Sequence, residues 1–235
     1  MESLQEEYLA KHYITRSNWL RAAVLGANDG ILSTASLAIG VAAASGTREP
    51  ILLATVAGLV AGALSMAAGE YVSVGSQRDL ENADIDRERQ ELVDMPEIEL
   101  QRLAEIYEQR GLKKETAMTV ALELTANDAL GAHIRDELGI NDISEAKPLQ
   151  AAAASGAAFC IGGGLPLLVV LFLPLPKLEF YLYSFAILFL VLLGVLAAKA
   201  GGSNSWKAIA RITFWGTVAM GLSALVGHLF SVNLG

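Results

Sequence analysis

Two groups of residues in this 235-residue chain have types and spacings suited to holding a cation. The first is Asp29, Met66 and Glu70, all set within long apolar runs. A carboxylate in hydrocarbon costs at least ~2.5–3.5 kcal/mol on insertion scales, so it normally faces a pathway or a partner. Met66 and Glu70 are four apart and share a helix face. Asn28, Ser33 and Thr34 place further oxygen ligands around Asp29. Carboxylate, amide and thioether together suit a borderline metal such as Fe2+ or Mn2+ better than Ca2+, because of the sulfur. Simpler roles stand beside this one: both carboxylates could bind helix ends, and Met66 could be core packing.

The second group is acidic. Glu81, Asp84, Glu88 and Glu91 follow one another at offsets of 3, 4 and 3, so a helix gathers them on one face. Glu81 and Asp84 are the weaker members. His133 and Glu137 are four apart, a spacing at which both can reach one ion, and Glu99 offers another carboxylate. Helices that each contribute Glu or His resemble the metal cores of helical bundles. A run of charges on a helix is otherwise a solvated face.

The elements that must position these groups are helices. Hydrophobic residues make up 53% of the chain and mean hydropathy is +0.44, which points to an integral membrane protein. Segments 22–45, 51–75, 150–173, 180–199 and 207–231 are each long enough to span, since about 20 residues at ~1.5 Å rise cross a ~30 Å hydrocarbon core. The expected fold is therefore all-α, with five transmembrane helices and an acidic three-helix domain inserted between the second and third. The domain boundaries read as 1–21, an interfacial lead-in; 22–75, the first two spans; 76–148, the inserted domain; and 149–235, the last three spans. GTREP is expected as the loop between the first two spans, and Lys177-Leu178-Glu179 as a tight turn before the fourth. From Ser65 to Glu91 no proline intervenes, so one helix is expected to carry Met66, Glu70 and the acidic stripe.

Within 76–148, 18 Asp and Glu face 9 Lys and Arg. Asp94-Met95-Pro96-Glu97 reads as a helix start with Asp94 as cap, the second helix ending at Gly111 and a third running from about Lys113 to Leu138. With the N-terminus cytoplasmic, fifteen of the seventeen Lys and Arg fall on that side, against Arg48 and Lys177 opposite. The inserted domain is then cytoplasmic. The net charge of −8 argues against nucleic acid. One cysteine, Cys160, excludes an intrachain disulfide and a multi-cysteine metal cluster. Residues 1–11 lack the pattern of a cleavable signal peptide. No Ser/His/Asp set, metalloprotease histidine pair or phosphate-cradling glycine loop appears, so an enzyme is not expected. The G-x-x-x-G pairs Gly26/Gly30 and Gly58/Gly62 mark close helix approach, either within one subunit or between two. His228, lone in the last span, reads as a packed or interfacial histidine.

The segments LRAAVLGANDGILSTASLAIGVAAA, SMAAGEYVSVGSQRDLE, MPEIELQRLAEIYEQRGL and DALGAHIRDELGI resemble the vacuolar iron transporter family in its bacterial branch. The likeness runs from His12 into the third span, the last two spans matching in hydropathy alone. The resemblance implies a proton-coupled exporter of Fe2+, and of Mn2+, from the cytosol through a homodimer whose first helices meet, in a bacterial inner membrane. Co2+ and Zn2+ stay open as cargo, and no resident cofactor is expected. Asp29 and Met66 match pathway positions, and Glu70 stands in the family's Gly-acidic-Tyr motif. Glu88, Glu91, Glu99 and Glu137 match metal-capturing positions of the cytoplasmic domain. Two positions depart from the pattern. Arg102 stands where members often carry a second glutamate, and His133-Ile134 where eukaryotic members carry paired methionines, which implies altered stoichiometry or metal preference. The rival reading is a membrane-anchored metal sensor or buffer that binds without transport.

Overall fold

The structure, a computed structural model, describes residues 17–140, 146–200 and 205–234. The regular structure among them is helical: α1 Ser17–Ala44, α2 Arg48–Asp94, α3 Pro96–Gln109, α4 Lys114–Asp136, α5 Pro148–Phe172, α6 Leu178–Ala200 and α7 Ser205–Leu234. Five of these, α1, α2, α5, α6 and α7, are long and apolar enough to cross a membrane. The lead-in side chains up to Leu20 and the link at 201–204 lie outside the described residues. The chain divides into two compact units. One holds α1, α2 as far as Tyr71, and Leu149 onward; the other is Val72–Pro148.

In the first unit the core takes Ile31, Ala35, Ala38 and Ile39 from α1, Val169 and Val170 from α5, and Met220 from α7. On α6 the buried residues are Leu178, Leu182, Ala186, Leu190, Gly194 and Ala198, one every fourth position and thus one stripe. Large apolar side chains such as Leu53, Leu64, Phe172 and Leu196 face outward. That is the pattern expected where lipid, rather than water, surrounds the helices. Both G-x-x-x-G pairs are used inside this unit. A Cβ on Gly26 or Gly30 would overlap the carbonyl oxygens of Ser155 and Phe159 on α5. On Gly58 or Gly62 it would meet Leu37 and the Phe159 ring.

Helix ends correct several expectations. Arg48, Glu49 and Pro50 are the first turn of α2, so the loop before it is only 45–47. The Arg48 guanidinium donates to the carbonyls of Val170, Leu171 and Leu173 at 3.0, 2.6 and 2.6 Å. These are carbonyls left unpaired at the C-terminus of α5, where a cation is also favoured by the helix dipole. The turn before α6 is 173–177, with Lys177 at φ +68, and Leu178 and Glu179 already helical.

In the second unit α2 ends at Asp94, so Asp94 does not cap α3; Met95 occupies the cap position, without a side-chain bond. Its carbonyl accepts from the amides of Ile98 and Glu99 at 3.0 and 3.1 Å. Gly111 at φ +101 ends the turn after α3, a conformation that favours glycine. Leu103 and Ala104 of α3 pack on Ala121 and Ala132 of α4. Contrary to the expectation of one regular third helix, α4 breaks at Asp128 (φ −160, ψ 89). The Asp128 carboxylate accepts from the Gly131 amide at 3.0 Å, capping the helix as it restarts.

The close α1–α5 contact is testable. Gly30→Ala forces backbone apart and should cost roughly 1–3 kcal/mol, lowering Tm in detergent. Gly221→Ala on α7, where nothing lies within 4 Å of an added Cβ, should leave Tm unchanged or slightly raised.

Candidate metal-binding sites

The first unit contains a cleft of about 340 Å³ between α1 and α2, closed at the back by Phe159 of α5. Leu25, Asp29, Ser33 and Leu37 line it from α1, each one turn from the next, and Ser65, Met66, Gly69 and Glu70 from α2. Asp29, Met66 and Glu70 therefore face one space. The Ser33 hydroxyl donates to the Asp29 carbonyl at 2.7 Å, which leaves its lone pairs available. Among the described residues neither the Asp29 nor the Glu70 carboxylate has a hydrogen-bond or ion-pair partner. Neither is therefore occupied in capping a helix end.

Two of the expected oxygen ligands turn elsewhere. Thr34 is buried against α5, where a Cβ on Gly163 would sit 2.6 Å from its hydroxyl. Asn28 does not line the cleft. The close α1–α5 packing commits that side of α1 to helix contact. Sequence reasoning did not single out Ser65 and Phe159. The signal for Ser65 was its place beside Met66; for Phe159, no local signal existed, because α5 is distant in the chain.

In the second unit α2, α3 and α4 bring Glu88, Glu99, His133 and Glu137 together, one ligand atom from each lying within 4.8 Å of the others. His133 is 0% exposed, Glu88 3% and Glu99 2% at the side chain. His133 Nδ1 lies 2.9 Å from Glu88 Oε1, 2.9 Å from Glu137 Oε2 and 3.9 Å from Glu99 Oε2. An imidazole nitrogen carries one proton, so it can satisfy only one of the two near oxygens. With Nδ1 bonded to Glu137, Glu88 Oε1, Glu99 Oε2 and His133 Nε2 are buried with no hydrogen-bond partner among the described residues. Orphaned buried carboxylate oxygens are costly, and one cation at their centre would satisfy them together. Three carboxylates and an imidazole suit Mn2+, Fe2+, Co2+ or Zn2+.

The remaining stripe residues go elsewhere. Glu91 is partly exposed, 3.9 Å from Arg87, and Asp84 pairs with the same Arg87 at 3.2 Å. Glu81 accepts from Gln77 at 2.8 Å and from the Ala146 amide at 3.4 Å. Of the four residues at 3-4-3 spacing, Glu88 alone points into the cluster. In the other unit, His228 is exposed on α7, 4.0 Å from Glu179, with Nδ1 2.9 Å from the Ala224 carbonyl.

Burial pushes the Glu88 carboxyl above its usual range, and the Glu137 charge adds to this; His133 opposes, while Glu99 and Glu91 raise it further. Asp136, beside Glu137, goes the other way. Burial alone would raise it, but bonds from Arg110, Tyr107 and Arg135 hold it below the usual range. The Tyr107 hydroxyl donates to it at 3.0 Å and Arg110 at 2.7 Å. This clamp pins the end of α4, and the Asp128 cap sets the start of its last turns; between them lies His133.

The long apolar helices define an integral membrane protein, and each unit gathers carboxylates in one place. The VIT family pattern matches residues 20–228. "Vacuolar iron transporter" of Acanthamoeba castellanii is 43% identical over 223 residues, 93% of this chain and 81% of that protein. "Vacuolar iron transporter homolog 2" of Arabidopsis thaliana is 35% identical over 229 residues, 95% and 92% of the two chains. "Vacuolar iron transporter homolog 1" of Oryza sativa subsp. japonica is 35% identical over 223 residues, 94% and 78%. The chain belongs to the VIT family.

Glu88→Gln should act in opposite directions on stability and binding. A folded-state pKa above the usual value means that ionised Glu88 destabilises the metal-free fold at neutral pH, an effect that fades as pH falls through that raised value. The neutral amide should therefore raise Tm of the metal-free protein by a few degrees at pH 7 and less at pH 5. It should also weaken Mn2+ binding by more than the roughly 10–100-fold typical of losing an outer-shell partner, measured by calorimetry. Asp128→Ala should cost about 1 kcal/mol through the lost cap and loosen His133, read as faster amide exchange in 129–137.

Proposed function

We propose that the protein carries divalent iron, and manganese, out of the cytosol in exchange for protons. The observation that carries this reading is the cleft in which Asp29, Met66 and Glu70 face one space, both carboxylates unpaired among the described residues. Family membership and the names of the relatives support iron as cargo; manganese rests on the ligand set alone. A thioether beside two carboxylates favours Fe2+ and Mn2+ over Ca2+ or Mg2+.

In this mechanism the acidic unit faces the cytosol and concentrates cations through its field. Glu88, Glu99, His133 and Glu137 take up the ion. Glu70, Met66 and Asp29 then pass it across the bilayer by alternating access. A bound cation favours the ionised carboxylate and burial favours the neutral one, so metal and proton compete for the same oxygens. Protons arriving on the far side would displace the metal and return inward on the emptied carboxylates. Asp29 lies exposed on α1, and a second copy meeting it through α1 would complete the cleft wall. On this reading the membrane is a bacterial inner membrane, whereas the relatives named above are vacuolar transporters.

The test is flux into sealed liposomes, with a metal-quenched dye for Fe2+ and Mn2+ and internal pH recorded together. Metal entry with opposite proton movement is the expected result. Asp29→Asn should reduce flux at least ~10-fold, the effect of ~1.4 kcal/mol on a barrier, while Mn2+ binding to the acidic unit persists. Undiminished flux in that variant would reject the pathway. Binding without flux in the unmodified protein would favour a sensor or buffer instead.

A further inference from the structure

The acidic cluster contains a fixed cation of its own. Arg102 lies one turn beyond Glu99 on α3, and its guanidinium stands 2.5 Å from Glu137 Oε1. The opposite oxygen, Glu137 Oε2, is the one that faces His133. Glu137 is thus divided between a permanent cation on one side and the ligand cluster on the other. Arg102 is 51% exposed at the side chain while Glu137 is 12% exposed, so the guanidinium closes the cluster at the solvent boundary. Arginine remains charged at any pH the protein meets.

Charge decides what such an enclosure can hold. The three glutamates carry three negative charges, and Arg102 neutralises one. With neutral His133, a single divalent ion neutralises the other two. Of the charges nearby, Asp136 is held by Arg110, and Glu91 lies outside the cluster, sharing Arg87 with Asp84. A second divalent ion would leave net positive charge in a buried site and would lack a ligand, because Glu137 Oε1 is already taken. Buried ions are tolerated when paired and are costly when they are not.

We infer that Arg102 is an occupancy- and specificity-determining residue that restricts this cluster to one divalent ion per chain. It does so by holding Glu137 to a single available oxygen. The inference rests on the capture role proposed above for the same cluster and adds its stoichiometry. Reversing the charge makes the opposite forecast. Arg102→Glu brings four carboxylates to the cluster, which two divalent ions neutralise. Arg102→Lys keeps the charge but not the planar fork, and should keep one ion.

Mn2+ alone is the probe, with the full-length protein in detergent. Stoichiometry comes from calorimetry, and electron paramagnetic resonance detects two Mn2+ close enough to couple. The Glu88→Gln/Glu99→Gln double variant, titrated in parallel, isolates the ions belonging to this cluster. The expected result is one cluster ion for the unmodified protein and Arg102→Lys, and two for Arg102→Glu with a coupled-pair spectrum. One uncoupled ion in Arg102→Glu, or two in the unmodified protein, overturns the role of Arg102 while leaving capture standing. No difference between the unmodified protein and the double variant overturns capture and this inference together. Because Arg102 is half exposed, its variants are expected to fold, and unchanged helical circular dichroism verifies this.

Discussion

The membrane unit depends on backbone meeting backbone. Between helices in lipid there is no hydrophobic drive to associate, since the tails are as apolar as leucine; contact must come from dispersion and close fit. Gly26 and Gly30 of α1 supply that fit, lying directly on the carbonyls of Ser155 and Phe159 of α5. The consequence reaches the chemistry. With one side of α1 committed to α5, Thr34 is buried in the contact and Asp29 and Ser33 are turned to α2. Arg48, anchored on the last carbonyls of α5, ties the start of α2 to the same helix. The cleft is what remains between helices whose positions are set by other residues.

The acidic unit is governed by a different balance. Three helices hold carboxylates around one imidazole at distances that protons alone do not satisfy. Such an arrangement is unfavourable without a cation, and it persists because neighbouring interactions over-determine it. The bonds that Asp136 accepts from Tyr107 and Arg110 pin the end of α4, and the Asp128 cap begins its last turns. Apolar contact of Leu103 and Ala104 with Ala121 and Ala132 holds α3 on α4. Stability is lent by the surroundings to a site whose own buried carboxylates are unfavourable without a positive charge.

Local chemistry carried a large share of this into the sequence. Apolar length located five spans, and the continuity of charged, proline-free sequence after Glu70 announced the long α2. Helix starts were harder to read. Pro50 and Pro96 sit within first turns, where the missing N–H costs nothing; α2 begins two residues before Pro50, and α3 at Pro96 itself. The break at Asp128 was illegible, because TANDALGAH has helical periodicity on both sides and aspartate is a common solvated residue. Spacing alone did not tell which acidic residue of the stripe joins the cluster; the family resemblance narrowed it to Glu88 and Glu91, and only Glu88 is there. Helical spacing puts Glu81, Asp84, Glu88 and Glu91 on one broad face, and spacing cannot say where along that face another helix lies.

The sequence by itself therefore determined the helices, their apolar or charged character and the list of groups able to bind a cation, because these follow from local periodicity and side-chain type. Tertiary structure decided the partners. It chose Glu88 from its stripe, set Arg102 on Glu137, withdrew Thr34 into a helix contact and brought Phe159 from a distant helix to the back of the cleft. Those choices depend on contacts between residues far apart in the chain, and close packing at a few glycines and alanines fixes them.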